Sequence, residues 1–199
     1  MTQLVFASNN SHKVQEINQI LENTEGGQLL KNYNIVTMSK IGHTTDLPET
    51  HETIIENAIE KAQFLNKTYN IACFSEDTGL EIDALHGKPG VHTAHYSGSR
   101  DPHGNIDLVL KQMGDTPHRS ARFRTIICLI LNGEQHIFEG VCEGTIRFES
   151  SGTKGFGYDP IFQPEGYNQT FATLSADIKN SISHRRRAMQ KLMDFLSNI

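Results

Sequence analysis

Residues 121–148, ARFRTIICLILNGEQHIFEGVCEGTIRF, constrain the fold more than any other stretch of this chain. Two long runs rich in β-branched and aromatic residues flank Asn132-Gly133, a pair suited to the tight turn of a two-residue hairpin. The segment therefore reads as two antiparallel strands. Elsewhere strand and helix patterns alternate. LVFAS (4–8) reads as a strand, and 11–22 as a helix with Val14, Ile17, Ile20 and Leu21 on one face. NIVTM (34–38) is a second strand. Thr53 to Glu56 forms a capping box that starts a helix carrying Ile55, Ala58, Ala62 and Leu65. IACFS (71–75) is a third strand, apolar enough to be buried on both faces. A helix is expected around 104–113, and the last runs from about His184 to Ser197, with Ala188, Leu192 and Phe195 or Leu196 inward. Alternating strands and helices plus one hairpin give an α/β fold with a mixed sheet.

A chain of 199 residues can bury one sizeable core, and it reads as a single domain over 1–199. No low-complexity tract or repeat interrupts it, and the loosest segment, 23–33, reads as a surface loop. No run of about eighteen apolar residues is present, so no membrane span is expected. MTQLVFASNN lacks a basic start and a long apolar stretch, and reads as a first strand rather than a secretion signal. Cys73, Cys128 and Cys142 lie in strand-like runs without metal-ligand spacing, which points to free thiols in a reducing cytoplasm. A net charge of −5 argues against general affinity for nucleic-acid backbones, while leaving room for a local basic pocket.

Four segments carry chemistry. The loop Ser8-Asn9-Asn10-Ser11-His12-Lys13 joins a strand to a helix, and a helix N-terminus offers free N–H groups and partial positive charge. Side-chain donors and the Lys13 ammonium add to an arrangement that suits a phosphate chain, although it lacks the glycines of a P-loop. Taken alone, such a loop is more often a polar helix cap with an exposed Lys. FSEDTGL (74–80) places Glu76 and Asp77 at the end of an apolar run, before a Thr-Gly turn. Ionised acids there need a partner. Mg²⁺ takes one or two protein carboxylates and keeps water and phosphate oxygens, so Glu49 (in PETHET) and Asp77 could hold it from neighbouring loops. GTKGFGYDPIF (152–162) is glycine-rich, and Phe156 could stack on a base. Tyr158 there could equally be core. Lys179, Ser183, His184 and Arg185 lie around the start of the last helix, where Arg185 or Lys179 would suit a purine carbonyl or a phosphate. Arg186 and Arg187 read as a solvated helix face.

These segments occur in a telling order. LVFASNNSHK (4–13), ET-x-x-T (49–53) with IENA (55–58), SEDTGL (75–80), PGVHTAHYSG (89–98), GFGYDPIF (155–162) and KNSISHRRRA (179–188) together resemble the inosine/xanthosine triphosphate pyrophosphatase family, from residue 4 to about 196. The resemblance implies Mg²⁺-dependent hydrolysis of ITP, dITP and XTP to the monophosphate and pyrophosphate. It implies an elongated two-lobed fold around a long mixed β-sheet with flanking helices and a central cleft, and a homodimer. By matching positions, Ser8, Asn9, Asn10, Ser11, His12 and Lys13 would hold the triphosphate. Glu49 and Asp77 would serve the metal, with Asp77 as proton acceptor. Thr78 stands where the family usually has Ser. Phe156, Gly157, Tyr158, Asp159, Lys179, His184 and Arg185 would form the nucleoside side.

The chain departs from the family pattern at Glu76, usually Asp; at His51, usually Gly; and at His92 and His95, usually Tyr and Arg. A non-catalytic purine-nucleotide binding protein on the same scaffold, and a pyrophosphatase for modified pyrimidines, are the other readings. An RNA-binding module built on residues 185–187 is disfavoured by the acidic net charge.

Overall fold

The computed structural model describes residues 2–22 and 32–199, so most of the loop expected at 23–33 lies outside the described residues. Strand β1 (Thr2–Ala7) leads into helix α1 (Ser11–Glu22), and β2 (Tyr33–Thr37) follows. Helix α2 (Ile54–Tyr69), β3 (Cys73–Ile82), the short β4 (Pro89–Gly90) and α3 (Pro102–Met113) come next. The hairpin β5 (Ser120–Leu131) and β6 (Glu134–Ile146) precedes β7 (Phe162–Pro164), α4 (Ala176–Ile182) and α5 (His184–Ser197).

The strands form one mixed sheet in the order β2-β1-β3-β5-β6-β7, with β4 paired to β3. β1 lies parallel to both β2 and β3, while β3–β4 and β6–β7 are antiparallel. This is the mixed α/β class that the sequence pattern predicts. At the hairpin turn Asn132 and Gly133 adopt φ of 53° and 83°, which sets both central residues in the left-handed region that such a turn requires.

Local chemistry explains the helix limits. Thr53 caps α2 as expected by accepting from Glu56 N at 3.2 Å, while the Glu56 carboxylate accepts from the Thr53 hydroxyl at 2.6 Å rather than from its backbone N–H as in a full capping box. Asn70, at φ 51°, ends the helix. Inside α2, Ala58, Ala62 and Leu65 are buried as the sequence pattern predicts, and only the first position differs, with Ile54 buried and Ile55 exposed. Strand β3 is longer than expected. Glu76 and Asp77 sit within it rather than beyond its tip, because each finds a buried cationic partner.

The chain divides into two compact units, one of residues 1–77, 125–140 and 185–199 and one of residues 78–124 and 141–184. Each has its own apolar core. In the first, Phe6 stacks on Phe74 with ring centroids 4.9 Å apart, and Ile17, Ile20, Leu192 and Leu196 close over them. The second gathers Leu80, Ile106, Val109, Phe123, Phe162 and Phe171. Burying a side chain of this size contributes roughly 1.5–3 kcal/mol, so these clusters supply much of what holds each unit together.

Candidate active site

The phosphate-type loop is ordered by its own side chains. Asn10 Oδ1 accepts from the His12 and Lys13 amides at 3.0 and 3.2 Å, which makes Asn10 the cap of α1. Ser8 Oγ accepts from Asn10 N at 3.2 Å. Asn9 Nδ2 donates to the carbonyls of Thr44 and Thr45 at 3.1 and 2.9 Å. Asn9, Asn10, Ser11 and His12 stay exposed, at the start of a helix whose dipole favours anions. A cavity of about 560 Å³ lies alongside, lined by Ser8, Asn9, Ser11 and the α1 residues Val14, Gln15 and Asn18 among others.

Glu76 and Asp77 are adjacent in β3, so their side chains leave on opposite sides of the strand. Asp77 turns toward α2, where Lys61 Nζ donates to Asp77 Oδ1 at 2.8 Å, Glu49 Oε1 at 2.5 Å and the Glu76 carbonyl at 2.9 Å. Glu76 turns the other way. Arg185 grips its carboxylate with Nε and Nη2, both at 2.7 Å, while Nη1 donates to Glu16 of α1. Lys13 Nζ stands 3.4 Å from Glu76 Oε1. Lys61, Glu76, Asp77 and Arg185 are all buried.

Glu16, Glu49, Glu76 and Asp77 thus meet Lys13, Lys61 and Arg185 in this group. Burial raises the Asp77 pKa, and the attraction of Lys61 and Lys13 offsets this only in part. Burial alone would lower Lys61, but Asp77 and Glu49 outweigh it and raise the ammonium above its ordinary value. Arg185 is raised in the same way, against burial, by Glu76 and Glu16. The Glu49 and Asp77 carboxylates, drawn together by Lys61, offer the oxygen ligands that a hard cation favours. No cluster of three or more His, Cys, Asp or Glu side chains among the described residues forms a metal cage. Glu49 and Asp77 fit the other design, in which substrate and water complete the coordination.

The glycine-rich segment and Lys179 form a second group, within the other unit. Buried Asp159 accepts from Phe156 N at 2.9 Å and from Lys179 Nζ at 2.5 Å through the same oxygen, Oδ2. Lys179 Nζ lies 5.2 Å from the Phe156 ring centroid, within cation–π range. Gly155 has φ 77°, and a Cβ built there would collide with the Asp159 carboxylate, so only glycine fits. Phe156 and Gly157 are half-buried, whereas the Tyr158 side chain is inside the core. His184 stacks on Phe123 with centroids 4.7 Å apart. Thr78 follows Asp77 in β3 and is half-buried. His92 and His95 are exposed, with their rings 5.5 Å apart.

Two residues read for the nucleoside side are engaged within the protein. Arg185, read from sequence with Lys179 and His184, instead directs all three guanidinium nitrogens at Glu76 and Glu16. Tyr158 presents no ring surface, because its side chain is core. Two residues of the first group were not picked out by sequence reading, Lys61 and Glu16. Their signal was legible: Lys61 falls on the buried stripe of α2 with Ile54, Ala58 and Leu65, and Glu16 on that of α1 with Ile17 and Ile20. A charged residue on an apolar stripe calls for a buried partner.

Residues 4–195 match the model of the Ham1 family. The dITP/XTP pyrophosphatase of Flavobacterium psychrophilum is 46% identical over 197 residues, covering 98% of this chain and all of that protein. The dITP/XTP pyrophosphatase of Porphyromonas gingivalis is 46% identical over 198 residues, covering 98% of each chain. Among solved structures, the Ham1 protein of Staphylococcus aureus superposes with a TM-score of 0.87 at 35% identity, covering 99% of each chain.

Proposed function

The chain belongs to the Ham1 family, and on that premise we propose that it hydrolyses the non-standard purine nucleoside triphosphates ITP, dITP and XTP to the monophosphate and pyrophosphate. One observation carries the reading: buried Lys61 bridges Glu49 and Asp77 at 2.5 and 2.8 Å. Packing gives no reason to bury Lys61 and Asp77 beside the exposed Glu49, whereas phosphoryl chemistry uses both the carboxylates and the cation.

The roles follow from position. Ser8 to Lys13, at the positive end of α1, meet the triphosphate, with Lys13 supplying a full charge. Lys61 keeps the Glu49 and Asp77 carboxylates near each other and adds positive charge beside the phosphates. Mg²⁺ held by Glu49 and Asp77 would neutralise phosphate charge and orient the attacking water. Asp77 accepts the proton from that water, a task for which its raised pKa suits it. Glu76, clamped by Arg185, faces Lys13 and steadies it. Arg185 therefore acts on the phosphate side, through Glu76 and Glu16.

Phe156 offers a ring face to the base, and Lys179 a donor to the C6 carbonyl of hypoxanthine or xanthine. His184, Asp159, Gly157 and the Tyr158 backbone shape that side, with Thr78 beside Asp77. Adenine presents an amino group at C6, which leaves the donor unpaired at a cost of about 1–3 kcal/mol. The protein works as a cytoplasmic homodimer in this reading. Free, buried Cys73, Cys128 and Cys142 support a reducing compartment, and no helix among the described residues is long and apolar enough to cross a membrane.

Product analysis tests the reaction class. With ITP and Mg²⁺ the products should be IMP and pyrophosphate, and a chelator should stop the reaction. Release of orthophosphate and IDP would instead place the cleavage at the γ-phosphate and reject this reading.

A further inference from the structure

Residues 49–51 are exposed, yet they are gripped from one face of α2. Lys61 Nζ holds the Glu49 carboxylate at 2.5 Å. Glu60 accepts from both Thr50 N and Thr50 Oγ1, each at 2.8 Å, one bond to each carboxylate oxygen. Asn57 Oδ1 accepts from His51 N at 2.9 Å, and Asn57 Nδ2 donates to His51 O at 3.0 Å. Asn57, Glu60 and Lys61 are spaced i, i+3 and i+4, so they project from one side of the helix. Three consecutive loop residues are thereby matched to three side chains on adjacent turns. Asn57 is only 3% exposed, although its partner His51 is exposed. A solvent-facing loop does not need these bonds for its amides, since water would satisfy them. What they add is a fixed path for the backbone on the C-terminal side of Glu49.

We infer that Asn57 and Glu60 are positioning residues for the Glu49 carboxylate, holding it where it can share a divalent cation with Asp77. This rests on the proposed reading of Glu49 as a metal ligand. Neither residue touches substrate or metal. They act through the backbone of Thr50 and His51, as outer-shell partners of metal ligands do. The same frame accommodates the side chain at 51: its backbone N–H and C=O are both taken by Asn57, and the half-exposed imidazole lies 3.9 Å from Glu60 Oε1.

Mn²⁺ binding to the nucleotide-free full chain, followed by electron paramagnetic resonance alongside thermal melting, provides the test. Wild type is compared with Asn57→Ala, Glu60→Gln, Glu49→Gln and the Asn57→Ala/Glu49→Gln double variant. Asn57→Ala should weaken Mn²⁺ binding by about 10- to 100-fold, and Glu60→Gln should weaken it by a smaller factor. The metal concentration for half-maximal ITP hydrolysis should rise in parallel, with kcat at saturating metal largely kept. In the Glu49→Gln background Asn57→Ala should have no further effect on Mn²⁺, because the route it acts through is gone. Folded Asn57→Ala and Glu60→Gln that both bind Mn²⁺ within about twofold of wild type would overturn the inference, as would an undiminished Asn57→Ala effect without Glu49. Should Asn57→Ala fail to fold, Glu60→Gln decides alone, since its side chain is partly exposed. If Glu49→Gln binds Mn²⁺ as wild type does, the metal role of Glu49 itself falls, and this inference falls with it.

Discussion

Asp77 is the residue on which structure and chemistry meet most closely. Its carboxylate is buried in β3, 2.8 Å from Lys61, and burial keeps its pKa raised despite that ammonium. A raised carboxylate pKa means that the folded chain holds the proton more tightly than the unfolded chain. Ionising Asp77 therefore opposes folding, and its contribution to stability declines as pH rises above the unfolded value. Asp77→Asn keeps the shape and removes the charge. It should lower kcat for ITP by at least about 10²-fold in a chain that still folds, with a lower melting temperature because buried Lys61 loses its Asp77 partner. A folded variant with near-normal turnover would remove Asp77 from the chemistry. At this scale the sequence was only partly legible. Glu49, Asp77 and Lys13 stood out as charges beside turn residues. Lys61 and Glu16 did not, because a single charge in a helical stripe is easily taken for a solvated position. Arg185 was legible as a charge but not as a partner, since Glu16 and Glu76 are remote from it in the chain and only the fold brings them together.

At the scale of elements, regular local signals were read well. The helix cap at Thr53, the Asn132-Gly133 turn and the last helix at His184–Ser197 all appear where local chemistry places them. Long-range pairing was what the sequence concealed. Strand β3 runs through Glu76, Asp77 and Thr78 to Ile82, although acids followed by Thr-Gly read as a strand end. β7 and α4 were not anticipated: three and seven residues are too short to show a period. The glycine-rich loop makes a sharp prediction at this scale. Gly155→Ala introduces both an unfavourable φ and a collision with Asp159, so the Asp159 hold on Phe156 N and Lys179 should be lost. Destabilisation by about 1 kcal/mol or more is expected, together with a raised KM for ITP. The response of kcat should be smaller, because the phosphate side is untouched. Unchanged KM and stability would show that this loop tolerates a side chain there.

At the scale of the whole molecule, each unit is assembled from separated stretches of chain, and β3, β5 and β6 contribute residues to both. Buried thiols report on that assembly. Burial pushes Cys73 and Cys128 up to about 12, whereas an unfolded thiol titrates near 9.0. The unfolded chain therefore loses these protons first, and stability should fall as pH rises from about 9 toward 12. Tyr158, also raised by burial, adds to the same trend. Denaturant melts at pH 8 and pH 10 would check the sign, and neither thiol should react with an alkylating reagent until the chain unfolds. Rapid native-state labelling of Cys73 or Cys128 would contradict this packing. The central claim concerns the base. It is tested most directly by measuring kcat/KM for pyrophosphate release from dITP and XTP against ATP under identical Mg²⁺. A preference of about 10²-fold or more for dITP and XTP is expected. Equal or greater efficiency with ATP would contradict it.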